Sequence, residues 1–425
     1  MRRLSGLERV WLAARVVGPP YCNQLVLEGQ GWPQAPGGWD DLLTRLVAAQ
    51  PGCRVHLRGM LWNTRWEASG PLPTVRELDG SGWDGLGPEG APFLAAPMDP
   101  RRGPALEILL LRGQPTRVVL RTLAAAADGA GLLMMARGLF DCLRGDEPLP
   151  ATEGPEQDEI LARSLGVQPE PPPPQDAAAL TGPADPGQQG CTWRRIRVPP
   201  FPAFVTSLAL GLARAAEVPA GAVLRMEVPV DLRRYAPALQ STASLTGWMR
   251  LPVHLHLGAE EPVASLRYAL QDALRRKAAA ATSLGLGFAR ATPLWLLSWL
   301  GRRLAAKSLR EGRFGSSAVL SHAGRLDLGE FSGGGFQAQR AWFVPAGSPG
   351  QPAFVTTTIG PEGVELAVAM PNALASGGRL EALLDRLRRD LTTNVPALGD
   401  NLGAPAVDTS AMARAPEPGG TDRRG

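Results

Sequence analysis

Lysine is almost absent from this chain. It occurs only at Lys277 and Lys307, so arginine carries nearly all of the 44 basic side chains. These are scattered and met by 40 acidic residues, leaving a net charge of +4 over 425 residues. A nucleic-acid surface needs basic side chains gathered on one face, so that class is set aside. Histidine is also scarce. A Ser-His-Asp triad would have to use His56, His254, His256 or His322, and the local sequence singles out none of them. No GxSxG elbow, HExxH helix or P-loop is present. Cys22, Cys53, Cys142 and Cys191 lie far apart without a CxxC pair, which excludes a disulfide framework. No run reaches the ~18 apolar residues a membrane-spanning helix needs, so no transmembrane segment is expected. The opening MRRLSGLERVWLAARVVG carries charges inside its apolar portion and makes a poor secretion signal. A cytoplasmic location is expected. Nothing in the sequence sets an oligomeric state.

What is present is an ordinary globular composition, 44% apolar and 20% charged, long enough for a substantial core. Trp39 to Ala49 spaces Leu42, Leu43, Leu46 and Val47 on one helical face. Arg54 to Arg58 alternates as a strand, and a short strand is expected near Val75 within a loop-rich region. Ala105–Leu111 and Arg117–Leu123, separated by GQPT, read as a hairpin. Gly131 to Leu143 reads as an amphipathic helix. Gly145 to Gly190 holds QPEPPPPQD and TGPADPGQQG, suited to an extended connector, with a short helix over Gln157–Ser164. Beyond it, helices are expected over Ala203–Ala216, Pro262–Ala281, Pro293–Arg310 and Gly378–Thr393. Strands are expected over Ala222–Val230, Ser316–Ser321, Ala353–Ile359 and Gly363–Ala369. The pattern predicts an N-terminal lobe over 1–150, a Pro/Gly-rich crossover over 151–190, a C-terminal lobe over 191–400 and a disordered tail over 401–425. Strands alternating with helices in both halves give an α/β class.

Three motifs have plainer readings than their chemistry suggests. GSGWDG at 80–85 matches GxGxxG, but the following LGPEG cannot open the helix that dinucleotide binding requires. His254 and His256 share a strand face near Glu260 and Glu261, yet lack a third organised metal ligand, so no metal site is expected. LWLLSWLGRRL at 294–304 could lie on a membrane surface, but its apolar residues fit core or inter-lobe packing better.

LRTLAAAADGAG at 120–131 joins a strand to a helix through Asp128-Gly129. It resembles the HHxxxDG signature of chloramphenicol-acetyltransferase-like, CoA-dependent acyltransferases. That superfamily includes nonribosomal peptide condensation domains and alcohol and wax-ester acyltransferases. LLTRLVAAQPGCRVHL (42–57) resembles the helix and basic strand of condensation domains, and EVPVDLRRYAP (227–237), which contains Arg233, resembles their PVDLR segment. AVLSHAGRLDL (318–328) resembles the SNxGxLD strand. The likeness runs from about Leu7 to Leu398. It implies two chloramphenicol-acetyltransferase-like lobes, each a mixed sheet flanked by helices, with a cleft or tunnel between them.

In that family the second histidine of the motif acts in the tunnel as a base or positioning group. Here Leu123-Ala124 replace the pair, and a methyl group can neither take a proton nor orient a nucleophile. The aspartate is implied to be structural and to pair with the arginine of the basic strand, here Arg54. Asp128, Gly129, Arg54 and Arg233 are thus the structural motif residues, and His322, standing where the family has asparagine, is the candidate relocated base. The preferred reading is a condensation-like protein of a natural-product or lipid-conjugate pathway. It would bind an acyl thioester, a carrier protein or a partner enzyme and would be non-catalytic or non-standard. The alternatives are an active acyltransferase working by positioning alone or through His322, and a structural subunit of a biosynthetic complex. Acyl-CoA or a phosphopantetheine thioester would be substrate, with no bound cofactor. An acyl or peptidyl carrier protein or a synthetase would be the partner.

Overall fold

A computed structural model describes residues 2–18, 20–151, 157–219, 221–253 and 262–393. The segments 254–261 and 401–425, on which the His254/His256 and tail expectations fall, lie outside the described residues.

Two mixed sheets define the two lobes. The N-terminal sheet runs, in spatial order, Gln337–Val344, Cys22–Gln30, Thr116–Leu123, Leu106–Arg112 and Thr74–Asp79, with only the last pair parallel. Leu106–Arg112 and Thr116–Leu123 form the expected hairpin. Each has a continuous apolar stretch, Ile108–Leu111 and Val118–Leu120, because helices cover one face and a tryptophan layer the other. Leu25, Leu27, Ile108, Leu110, Val118 and Leu120 pack on the helices Trp39–Ala49 and Gly129–Arg144. Val26, Leu109, Leu111 and Val119 face Trp83, Trp193 and Trp342.

The C-terminal sheet runs Thr246–Val253, Leu224–Asp231, Ala318–Arg325, Phe354–Gly360, Gly363–Pro371 and Cys191–Val198. It alternates buried and half-buried positions over Leu224–Asp231, which sends Leu224, Met226, Val228 and Val230 into the core. Helix Phe204–Ala215 and the closing helix Arg379–Thr393 cover it, the latter through Leu380, Leu383, Leu384, Leu387 and Leu391.

Four features depart from the sequence expectations. Gln337–Val344 leaves the 191–400 range's own sheet and pairs with Cys22–Gln30, so the C-terminal half supplies an edge strand to the N-terminal lobe. The helix expected over Pro262–Ala281 breaks into Pro262–Arg275 and Ala278–Gly285, because Lys277 takes a left-handed conformation, φ 55°. Arg54 ends a 3-10 turn, and the strand begins only at His56. The apolar helix Leu294–Glu311 packs only through a narrow strip that includes Leu297, Ser298, Ala305 and Ser308. Trp295 is 69% exposed, Trp299 has Arg303 over its ring at 4.8 Å, and the packing expectation fails for both.

The crossover carries a buried charge. Asp158 opens helix Asp158–Ser164 and is fully buried beside Glu8 and Glu159. Burial pushes its carboxyl up to about 7, with the Glu8 charge adding to the effect and Ser5 and Ser283 offsetting part of it. The native state thus keeps a proton that the unfolded chain releases near its ordinary value of 3.8. Stability contributed by this group is present at pH 4 and lost as pH rises toward 7, then level above it. Asp158→Asn is expected to flatten that slope and raise stability at pH 8 by up to about 4 kcal/mol. Urea midpoints at pH 5 and pH 8 check this. An equal difference between the two proteins at both pH values would refute the assignment.

Candidate functional site

Strand Thr116–Leu123 ends in a tight turn in which the Leu123 carbonyl accepts from the amides of Ala126 (2.8 Å) and Ala127 (3.1 Å). Ala125 and Ala126 pack against Leu57 and Trp66, and the Ala127 carbonyl accepts from Asn23 Nδ2 at 2.8 Å. All three alanines are buried, at 2%, 3% and 0% exposure. Ala124 differs, since its methyl group borders a cavity of about 1180 Å³ between the lobes.

Asp128 caps the following helix, its Oδ1 accepting from the Gly131 amide at 2.8 Å. The rest of its carboxylate turns toward the C-terminal lobe. Oδ2 accepts from the Leu245 amide (2.7 Å), Thr246 Oγ1 (3.0 Å) and Arg233 Nη1 (3.1 Å), while Arg233 Nη2 donates to Oδ1 at 3.2 Å. Arg233 uses all five of its N–H donors: Nε binds the Ser241 carbonyl at 2.9 Å, Nη1 also binds Asp231 at 2.7 Å, and Nη2 also binds the Ala243 carbonyl. Burial works against the Arg233 charge, but Asp128 and then Asp231 outweigh it and hold its pKa above the ordinary guanidinium value. Burial raises the Asp231 carboxyl, against the pull of Arg233.

This corrects the expected Arg54–Asp128 pair. Arg54 instead spends Nε and Nη2 on the Gly70 carbonyl, at 2.8 and 2.6 Å. The pairing cation comes from the PVDLR segment. The glycine with a steric duty at this turn is Gly131. A Cβ on Gly131 would stand 2.2 Å from the Thr242 carbonyl oxygen, whereas one on Gly129 would meet nothing nearer than Phe343 at 4.0 Å. The Gly131 spacing lets the helix press against the 241–245 segment that holds Arg233.

His322 lines the same cavity. Its ring stacks on Phe204 (centroids 4.3 Å), and Nδ1 lies 3.0 Å from Thr357 Oγ1. Thr357 gives its hydroxyl proton to the Ser321 carbonyl at 3.3 Å, so Nδ1 is assigned as donor and Nε2 keeps a free lone pair. Burial brings its pKa down to about 4, against the effect of a bond to Thr357. Trp11, Tyr21 and Trp248 also line the cavity and went unnoticed in the sequence, where they share no pattern. Gly80 to Gly85 is a loop, with Trp83 Nε1 bound to the Gly87 carbonyl at 2.9 Å. Each cysteine is a free thiol. Among the described residues, no three histidine, cysteine or acidic side chains cluster to hold a metal ion. No described helix is long and apolar enough to cross a membrane.

Solved structures share this architecture. A variant of the starter condensation domain of rhizomide synthetase RzmA, in complex with C8-CoA, matches with a TM-score of 0.61 at 16% identity, over 92% of this chain and 94% of that one. The condensation domain of the monacolin K polyketide synthase MokA matches at 0.61 and 12% identity, over 93% and 98%. The first condensation domain of the calcium-dependent antibiotic synthetase, in complex with a substrate analogue, matches at 0.61 and 17%, over 92% and 96%. The fold is therefore that of condensation domains, the chloramphenicol-acetyltransferase-like type the motifs implied. No family model and no curated protein matches the sequence.

Removing one partner of a buried, saturated ion pair strands the other. Arg233→Ala is expected to cost about 3–5 kcal/mol. Arg54→Ala, which leaves the Gly70 carbonyl without its donor, is expected to cost less, about 1–3 kcal/mol. Chemical denaturation of the two variants checks the ranking, and a larger loss in Arg54→Ala would contradict the pairing described.

Proposed function

We propose that the inter-lobe cavity holds an acyl thioester, delivered as acyl-CoA or on the phosphopantetheine arm of a carrier protein. In this reading the chain acts in a natural-product or lipid-conjugate pathway without a histidine base at residue 124. The observation that carries it is a large, mostly apolar cavity with a methyl group at the position the resemblance gives to the base. The RzmA variant in complex with C8-CoA shares the fold and supports a thioester ligand. Four free thiols accord with a reducing, cytoplasmic setting.

Holding a thioester beside a bound nucleophile can accelerate transfer by positioning alone. Proton removal is the part this cavity does poorly. His322 is neutral at pH 7 and keeps Nε2 free, which favours a second reading in which it is the relocated base. With a pKa of about 4 its proton affinity is low, and an efficient general base sits near the working pH. The binding reading is therefore preferred.

Calorimetry with octanoyl-CoA, together with thiol release in the presence of amines and alcohols, tests both readings. The expected outcome is saturable binding with thiol release no faster than in buffer, and a gain of roughly 10²-fold in Ala124→His. Rapid release by the unmodified protein that disappears in His322→Ala would establish the second reading. Absence of binding would remove both.

A further inference from the structure

The ladder between Cys22–Gln30 and Thr116–Leu123 ends on the pair Cys22–Leu123. Tyr21 and Ala124 are the next residues beyond the ends of these two strands, and both line the cavity. Tyr21 is 5% exposed, and its ring lies 5.6 Å from Trp11, which lies 5.6 Å from Trp248. A buried tyrosine hydroxyl normally has a hydrogen-bond partner. The Tyr21 hydroxyl makes no hydrogen bond with the described residues, and its oxygen is not one of their fully enclosed unpartnered atoms, so it meets open space on the cavity side. Its backbone sits at φ 44°, a region that favours glycine and that a bulky residue keeps only when its surroundings impose it. Such residues concentrate where a side chain must be aimed at a ligand. Burial, and then the charge of Glu227, hold the phenol well above its ordinary pKa, so it stays protonated and acts as a donor rather than a base.

We propose that Tyr21 donates a hydrogen bond to the carbonyl oxygen of the bound thioester and so fixes the acyl group beside residue 124. The inference rests on the acyl-thioester reading above. An acyl chain matches the apolar lining, which includes Leu133, Val228 and Met249. The thioester carbonyl is the polar atom that must find a donor once removed from water. Two neighbouring polar groups are committed elsewhere. Arg233 has spent all five donors, and the amide nitrogen of Asn23 is bound to the Ala127 carbonyl. Tyr21 keeps a free donor at the mouth of the turn.

The test compares octanoyl-CoA with its S-octyl thioether, which lacks the carbonyl, by calorimetry on the intact protein and on Tyr21→Phe. The unmodified protein is expected to prefer the thioester by roughly three- to tenfold, the range of one neutral hydrogen bond. Tyr21→Phe should bring that ratio close to one and leave thioether affinity unchanged, with a melting temperature near that of the parent. A preference that survives in Tyr21→Phe overturns the assignment to Tyr21 and leaves the thioester reading standing. Failure of the unmodified protein to bind either ligand overturns the thioester reading instead. A second readout needs no variant. The carbonyl stretch of ¹³C-labelled octanoyl-CoA should shift to lower frequency on binding, and an unshifted band also overturns the proposal.

Discussion

On one side of the cleft the two lobes are held in register by a buried ion pair. Asp128 does two things with one carboxylate: it caps the helix Gly129–Arg144 of the N-terminal lobe and receives Arg233, the Leu245 amide and the Thr246 hydroxyl from the C-terminal lobe. Taking both charges out of water costs several kcal/mol per ion, and attraction alone seldom recovers it. Here every donor of Arg233 is used, and the carboxylate accepts at both oxygens, so neither charge is left partly satisfied. The arrangement also fixes direction. The helix can end only where Asp128 meets the 241–245 segment, and Gly131 makes the approach close enough.

A second tie closes the other side. Gln337–Val344 crosses to the N-terminal sheet, and near it Glu28 accepts from Arg117 at 3.1 Å and from Arg195 at 3.2 Å, while Arg195 also faces Glu365 at 3.5 Å. Arg117 lies over Trp83 and Arg195 over Trp342, at 4.8 and 4.3 Å. Burial lowers the Arg195 pKa, and Glu28 and Glu365 oppose that loss. The cavity takes its lining from both ties, with Asp128 and Arg233 in the first and Phe343 and Val344 on the crossing strand. The cleft is thus bounded by residues of both lobes, whose sheets also share a core layer through Trp193 and Trp342.

Local periodicity made the hairpin at 106–123, the closing helix and the strand–turn–helix around Asp128 readable, because each is set by which side chains reach a nearby core. What depended on contacts between distant segments was not readable. Cys22–Gln30 contains polar residues in pairing positions, so CNQLVLEGQ does not announce a central strand, although it pairs on both sides. The Arg54 and Arg233 side chains look alike in sequence, and only the fold shows which one Asp128 meets. Lys277 breaks a helix by backbone conformation, with no glycine or proline to mark it. Trp295 is exposed although its helix packs on Gly6–Val17, and no periodicity encodes which strip of that helix is covered. Tyr21 belongs with these, since its meaning comes from standing opposite Ala124.

The turn also separates the needs of the fold from those of chemistry, residue by residue. Ala125, Ala126 and Ala127 are enclosed by packing, and a reactive side chain at any of them would have to displace core atoms. Residue 124 faces open space, so its side chain can be small without orphaning a buried polar group. Residue 128 has no such freedom, because two donors of Arg233, the Leu245 amide, the Thr246 hydroxyl and a helix terminus depend on it. An aspartate kept beside an alanine is thus what the energetics of this turn require whether or not the cavity performs acyl transfer. The motif's surviving half is evidence for how the lobes are joined, and only the cavity-facing residues, Ala124, Tyr21 and His322, bear on what happens inside.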